Sequence, residues 1–504
     1  MSARIDWGAL GIAPAGKHAA PFRIRRVGEH FVLTSLEGRW ALLTVDELKA
    51  FARGDLREGT ELHTRLAEAN LLRDHFDVPA AAEMLRARRA FVGAGPNLHI
   101  LVVTLRCNTT CVYCHASRAN MDAVHTDMTP EIAEKSVDFI LQSTNPSVTI
   151  EFQGGEPLVA FDIVKHVIEY ALKKNESIGK ELEFTMVSNM SLMDEEKLEY
   201  LISRRVQLCT SLDGPADIHD AVRKLPKAYG ESGHAHAVEW TKKINAKYRE
   251  LGLDETLYHV EALVTTTRGL LPRWKELVDT YAGLGCRALF LRPLDPFGFA
   301  DKTSQRIEYP RDEYLEYYRN AVDYMIQLNH EGVEILERYA AIFLTKILRG
   351  EDPNFLDIRQ PSGAGIGQLA YNYDGQVFSC DEGRMLHEMG DDTFRLGTVD
   401  DRYRDVVGHE TIRALVIASQ LQGLPDCTDC AYQPYCGIPP VHSHKTQGSL
   451  FGRMRESTLC QVHKGIQDYL FEKLATADDA TRQVLERWTT VRPRAHFLHA
   501  PQGS

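Results

Sequence analysis

The chain has little of what marks a membrane protein or a nucleic-acid binder. It contains no stretch of about 18 or more apolar residues, so no membrane-spanning helix is expected. It has no long run of Lys or Arg, and its formal net charge is −12. Tracking a phosphate backbone needs a basic stripe, so nucleic acid is not expected as the main partner. Residues Met1 to Phe22 mix Arg4, Asp6, Gly and Pro without a continuous apolar core, which reads as no signal peptide and hence a cytoplasmic protein. Thiols stay reduced there, so the ten cysteines are expected as ligands or core residues rather than disulfides. No long internal repeat or low-complexity tract appears. What is present is 504 residues, 44% of them apolar, enough for a large core in more than one domain. Six of the cysteines fall in two short clusters, three in 107–114 and three in 427–436.

Four segments are expected. Residues 1–92 read as a small N-terminal module, with strands at Phe22–Val27 and Phe31–Thr34, a turn at Gly28-Glu29, and a helix opened by Thr44 and Glu47. A second helix follows around Leu62 to Leu71, and the order of elements suggests a winged-helix-like fold. Residues 93–300 alternate strand and helix, with apolar runs at His99–Thr104, Val148–Phe152, Leu182–Val187, Gln207–Ser211, Tyr258–Val264 and Arg287–Leu291. Thr129 and Pro130 start one of the intervening helices. Six such β/α units imply a parallel sheet buried on both faces, either open or a partial barrel, with its chemistry on the loops after the strands. Residues 301–475 read as helices (Tyr314–Leu328, Val333–Leu348) followed by a Gly-rich and then a cysteine-dense segment, and 476–504 as a tail.

Cys107-Asn-Thr-Thr-Cys111-Val-Tyr-Cys114 directly follows the first buried strand. Three thiolates on one loop suit three corners of a four-iron four-sulfur (4Fe–4S) cluster and leave the fourth iron open. Zinc would want a fourth nearby ligand, which His115 could supply only from an awkward loop. Cys111-Val-Tyr-Cys114-His115 also matches the C-x-x-C-H haem-attachment pattern, whose covalent chemistry is usually carried out beyond the cytoplasm. One strand later stands Gln153-Gly154-Gly155-Glu156-Pro157. With the cysteine triad, this loop resembles the radical S-adenosylmethionine (SAM) superfamily. The resemblance implies an α/β fold, a partial (β/α)6 barrel, with S-adenosylmethionine bound at the open iron and the Gly-Gly-Glu-Pro loop against its methionine part. Glycines permit close backbone approach, and Glu156 can pair with an ammonium group. By the same resemblance Tyr113 lies near the adenine, and Ser188, Asn189, Ser211 and Asp213 become cofactor contacts; read locally, the last four are also ordinary strand-end turn residues.

The C-terminal region resembles the SPASM extension of peptide-modifying radical enzymes. Gly375-Gln-Val-Phe-Ser-Cys380, Cys427-x2-Cys430-x5-Cys436 and Cys460 fit its pattern, whereas Ser362 and Pro440 stand where two further cysteines are expected. The resemblance therefore implies one auxiliary 4Fe–4S cluster, on Cys427, Cys430, Cys436 and Cys460. The second loses its ligands, because proline has no donor and serine poorly replaces a soft thiolate. Four thiolates also suit a structural zinc ion. Sulfatase-maturing relatives carry a proton-abstracting Asp beside the residue equivalent to Cys380, which makes Asp381 a candidate general base.

Longer stretches, among them Phe290-Leu-Arg-Pro293, Pro296-Phe-Gly-Phe-Ala300 and Gly448-Ser-Leu-Phe-Gly-Arg-Met454, resemble the B-type radical maturase of the His-Xaa-Ser peptide system. That resemblance runs from about residue 20 to 475. It implies a ribosomally made precursor peptide as substrate, and a second radical SAM maturase and a small accessory protein as partners. It also implies a flavodoxin- or ferredoxin-type electron donor and an oxidative product such as a cross-link. An anaerobic sulfatase-type maturase forming formylglycine is the nearest alternative. A subunit that only presents peptide to a second enzyme is another.

Overall fold

The computed structural model describes residue 7 and residues 16–353, 355–491 and 493–500. Most of the segment read as lacking an export signal lies outside the described residues. The chain divides into two compact units, one of residues 92–338, 363–415 and 491–504 and one of residues 1–91, 339–362 and 416–490.

The larger unit is built on a nine-stranded sheet. Leu98–Thr104, Ser147–Gly154, Glu181–Ser188, Gln207–Ser211, Glu261–Thr265 and Leu291–Arg292 stand side by side in chain order, each parallel to the next. Helices Pro130–Ile140, Phe161–Ile178, Glu195–Ser203, Gly233–Glu250 and Trp274–Gly283 make the crossovers. Thr129 caps the first of them, accepting a hydrogen bond from the Ile132 N–H ahead of Pro130 at the first helical position.

The sheet is not apolar on both faces. Val148, Ile150 and Phe152 alternate with Thr149, Glu151 and Gln153, and Leu182, Phe184 and Met186 alternate with Glu183, Thr185 and Val187. Because strand side chains point to opposite faces in turn, one face carries the core and the other a polar lining. That lining is hydrogen-bonded internally: Thr185 Oγ1 donates to Glu151 (3.2 Å), and Thr149 Oγ1 donates to Glu183 (3.3 Å).

Two strand expectations shift. The fifth strand begins at Glu261 rather than Tyr258, because the Val260 N–H donates instead to Asn245 Oδ1 (2.8 Å). The sixth breaks at Phe290, whose carbonyl accepts from the Arg292 N–H (2.8 Å). The halves then part, Ala288–Leu289 pairing with Leu336–Glu337 and Leu291–Arg292 with the fifth strand.

The expected boundary at residue 300 is not the one observed. Gln368–Tyr371 joins the other edge of the same sheet, parallel to Leu98–Thr104, and Gln376–Phe378 and Arg395–Thr398 extend it antiparallel. The expected tail also folds back: His499 exchanges two backbone hydrogen bonds with Leu182 (3.1 and 2.8 Å).

The smaller unit opens with a three-stranded antiparallel meander, Phe22–Val27, His30–Ser35 and Trp40–Leu43. Helices Val45–Arg53, Glu61–Glu68 and Val78–Arg88 follow, the first held by a Thr44/Glu47 capping box. Phe31, Leu33, Leu43, Leu48, Phe51, Leu66 and Leu71 form its core. Residues 416–475, from the segment 301–475 expected as linker helices and cysteine-rich extension, and residues 476–490, from the expected tail, group with this unit. Among the described residues no helix is long and apolar enough to cross a membrane.

Candidate active site

The cysteine loop directly follows the strand Leu98–Thr104. Asp127 anchors its root, accepting hydrogen bonds from Thr104 Oγ1 (2.6 Å) and Arg106 Nε (2.8 Å). The Gly-Gly-Glu-Pro loop is stapled to the same root: the Gly155 N–H donates to the Thr104 carbonyl (2.8 Å) and the Glu156 N–H to the Arg106 carbonyl (2.9 Å). This contact is what requires the two glycines. A Cβ on Gly154, which has φ +143°, would stand 2.1 Å from the Thr104 carbonyl oxygen, and one on Gly155 2.3 Å from those of Leu105 and Arg106.

Glu156 is 1% exposed and spans to the next strand end. Its carboxylate accepts from Ser188 Oγ (2.8 Å), from the Asn189 N–H (2.8 Å) and from the Leu158 N–H (3.1 Å). Burial pushes its pKa up, and these donors oppose the shift. The Asn189 side chain reaches back to the cysteine loop, donating to Asn108 Oδ1 and Thr109 Oγ1 (both 3.1 Å). Three successive strand ends are thus tied into one frame.

Around that frame lies a cavity of about 210 Å³. Cys107, Cys111 and Cys114 are on its wall, with Tyr113, Gln153, Gly154, Gly155, Glu156, Ser188, Asn189 and Ser211. Pro157 and Asp213 are not on its wall. Asp213 is buried (1%) and accepts from Tyr113 Oη, from Arg223 Nε (2.7 Å) and from the Thr265 N–H (3.0 Å). The Tyr113 side chain is therefore a structural member, with the Arg223 guanidinium 5.2 Å above its ring.

Arg223 was not legible as a site residue. A two-residue pairing of Thr110–Cys111 with Arg223–Lys224 brings it in, and its Nη1 comes within 3.8 Å of Cys111 Sγ. Thr109, His115, Thr265, Arg292, Asp295 and Met385 also line the cavity, and of these Thr265 and Asp295 lie in no motif singled out in the sequence. The Pro296-to-Ala300 stretch closes over the third cysteine: the Phe299 N–H donates to the Cys114 carbonyl (2.8 Å), an approach only Gly298 (φ +59°) permits. Burial raises the Cys107 pKa well above its ordinary value and that of Cys111 to about 12. Thiols in such surroundings give up their protons to a soft metal rather than to water. Three of them on one wall are a donor set that a four-iron cluster takes.

Asp381 is not on the cavity wall. It is 8% exposed and paired with Arg384 (2.9 Å), and it is Met385 of the same helix, Asp381–His387, that lines the cavity. Cys380 is 2% exposed and caps that helix, its sulfur accepting from the Gly383 N–H (3.4 Å).

In the smaller unit Cys427, Cys436 and Cys460 are buried with Leu421, Leu424, Ile438 and Met454, and Cys430 is half-buried beside them. Burial pushes Cys427 up to about 12 and Cys460 to about 11. Among the described residues no three Cys, His, Asp or Glu side chains converge tightly enough for a single metal ion. Ser362 is buried with its N–H donating to Ser419 Oγ (2.9 Å), and Pro440 occupies the first position of helix Pro440–Gln447.

A parallel six-stranded core with a cysteine loop at its first strand end defines the radical SAM α/β fold. Residues 101–276 match the Radical SAM superfamily, so the chain carries a radical SAM domain and is an enzyme of that chemistry. It is 23% identical over 390 residues to the cysteine-type anaerobic sulfatase-maturating enzyme of Clostridium perfringens, covering 75% of this chain and 98% of that one. It is 30% identical over 124 residues to an uncharacterised Methanocaldococcus jannaschii protein, of whose length the match spans 41%. Among solved structures, native anSMEcpe with bound AdoMet superposes with TM-score 0.62 at 20% identity, covering 77% of this chain and all of that one. Streptococcus suis SuiB bound to precursor peptide SuiA superposes with TM-score 0.51 at 15% identity, covering 87% and 98%. At these identities the structural likeness speaks for the fold.

Proposed function

We propose that this protein is a maturase that removes hydrogen from a ribosomally made peptide of the His-Xaa-Ser type and leaves it oxidised, most simply as a cross-link. The observation that carries this reading is the gathering of Cys107, Cys111 and Cys114 with the Gly-Gly-Glu-Pro loop and Asn189 around one cavity. The 4Fe–4S cluster and S-adenosylmethionine, when bound, supply the hard chemistry, a reductive C–S cleavage yielding a carbon radical able to break an unactivated C–H bond. The chain's residues hold and shield. Glu156 and Asn189 fix the cysteine loop against the second and third strand ends, and Gln153 and Ser211 offer polar contacts from the wall. Arg223 sets a positive charge beside Cys111.

Cys427, Cys430, Cys436 and Cys460 hold one auxiliary cluster on this reading, and Ser362 and Pro440 leave no ligands for another. Anaerobic reconstitution should then give about eight irons per chain, four for each cluster; a count near twelve contradicts it. The N-terminal module docks the precursor's leader, a role supported by the fold shared with SuiB, a protein solved with its precursor peptide SuiA. A second radical enzyme, a small accessory protein and a flavodoxin- or ferredoxin-type donor complete the system.

The similarity to a sulfatase-maturating enzyme supports a second reading, oxidation of one Cys or Ser to formylglycine, although Asp381, the proton acceptor expected for it, lies off the cavity wall and paired with Arg384. Tandem mass spectrometry of a co-expressed His-Xaa-Ser peptide separates the two. Both a cross-link and formylglycine made from Ser show loss of two hydrogens, but only the latter is trapped by a hydrazide. The proposal predicts an untrapped product that disappears with Cys107→Ala, even when the second radical enzyme is present. Modification that survives Cys107→Ala would make this chain a presenting subunit.

A further inference from the structure

The loop that carries three of the four C-terminal cysteines is bonded, residue by residue between them, to the N-terminal three-stranded sheet of the same unit. After Cys427, the Thr428 carbonyl accepts from Arg23 Nε (2.8 Å). After Cys430, the Ala431 carbonyl accepts from the buried Thr34 Oγ1 (2.9 Å). Next, Tyr432 donates to Asp468 (2.6 Å), which Arg25 grips with two hydrogen bonds of 2.5 Å while lying 5.3 Å over the Tyr432 ring. Just before Cys436, Tyr435 Oη donates to the Gly38 carbonyl (2.9 Å). Gly38 sits so close that a Cβ there would meet Pro434 at 2.8 Å. Asp468 belongs to helix Thr458–Thr476, whose first turn carries Cys460.

Cysteines and sheet contacts therefore interleave within ten residues, and neither set can be rearranged without the other. We infer that metal occupancy of the Cys427–Cys460 site holds the N-terminal sheet in its folded, docking-competent form, and that the sheet in turn retains the metal. The inference rests on the reading of these four cysteines as a cluster site. Its physical content is that metal-binding free energy is folding free energy for whatever the ligand loop must organise. Linkage makes the coupling reciprocal. An unloaded site leaves three buried thiols and one half-buried thiol with no metal to draw them together, so the Thr34 and Tyr435 hydrogen bonds lose one of the constraints that hold their partners in place.

The test is amide hydrogen exchange on the full-length, anaerobically reconstituted protein, comparing the unsubstituted chain with Cys107→Ser and Cys427→Ser. Iron analysis comes first: about eight irons per chain, falling to about four in each variant. The expected result is that amides of residues 22–43 exchange about tenfold faster or more in Cys427→Ser and unchanged in Cys107→Ser. Strand 98–104 is the internal reference in the Cys427→Ser comparison. Equal exchange at residues 22–43 in all three overturns the coupling. A Cys427→Ser iron count equal to that of the unsubstituted chain instead removes the cluster site, and the inference with it. Should Cys427→Ser not fold, Arg25→Gln and Thr34→Val keep every cysteine and test the reverse direction. About half the iron should then pass to a chelator several-fold faster than normal; unaltered release overturns the inference.

Discussion

Arg223 and Asp213 form a buried ion pair whose side chains are 12% and 1% exposed, with Tyr113 on the same carboxylate. Removing one member of such a pair strands the other charge, at a cost of roughly 3–5 kcal/mol. Arg223→Met should therefore lower unfolding free energy by about that amount and loosen the loop bearing Cys111. Asp213→Asn combined with Arg223→Met should recover part of the loss, as a double-mutant denaturation cycle would detect. Gly155→Ala is a second residue-scale test, since its Cβ would fall 2.3 Å from two carbonyl oxygens. The outcome expected is weaker iron retention at the triad, read by absorbance after reconstitution. The cysteines and Gly-Gly-Glu-Pro were legible because each is a contiguous motif on one loop. Arg223 was not, because its place depends on pairing with Cys111, 112 residues away. Glu156 was legible as a site residue, yet its three protein donors come from an adjacent turn and from a strand end no local pattern reveals.

At the scale of elements, the segment after residue 492 acts as a strap under the larger unit's sheet. His499 pairs with Leu182, the His496 N–H donates to Tyr258 Oη (2.9 Å), Phe497 is 1% exposed, and Arg494 pairs with Glu261. Burying a phenylalanine contributes roughly 2–3 kcal/mol. Ending the chain at residue 490 should thus reduce denaturant stability by about 3 kcal/mol or more, since Glu261 would also lose a cation. No change in the denaturation midpoint contradicts the strap. Helix starts were legible where a cap announces them, as at Thr44 and Thr129. The helix expected from Val333 was not, because Leu336–Glu337 is drawn into a strand by Ala288–Leu289. The polar lining of the sheet was hidden for a similar reason. Glu151, Glu183 and Glu261 read as interruptions of apolar runs until the pleat assigns them one face.

For the whole molecule, the assignment of segments to units was the least legible feature. Residues 1–91 and 416–490 share a unit through hydrogen bonds spanning about 400 positions, such as Thr34 to Ala431, which leave no trace in local composition. Acid stability is also a property of the whole. Burial holds His99 near pKa 3 and His219 and His259 near 4. An unfolded histidine titrates near 6.5, so between about 6.5 and 4 the unfolded chain binds protons that the folded one refuses. Stability should fall with pH across that window, by up to about 1.4 kcal/mol per pH unit for each histidine. His99→Gln should flatten the slope of denaturation midpoint against pH; an unchanged slope assigns the effect elsewhere.

The most direct test of the central claim is S-adenosylmethionine cleavage by the anaerobically reconstituted protein under a strong reductant, read as 5′-deoxyadenosine. The account predicts that the unsubstituted chain forms it and that Cys107→Ala, Cys111→Ala and Cys114→Ala each abolish it while keeping about four irons. Equal product from the Cys107→Ala chain, or none from the unsubstituted one, would contradict it.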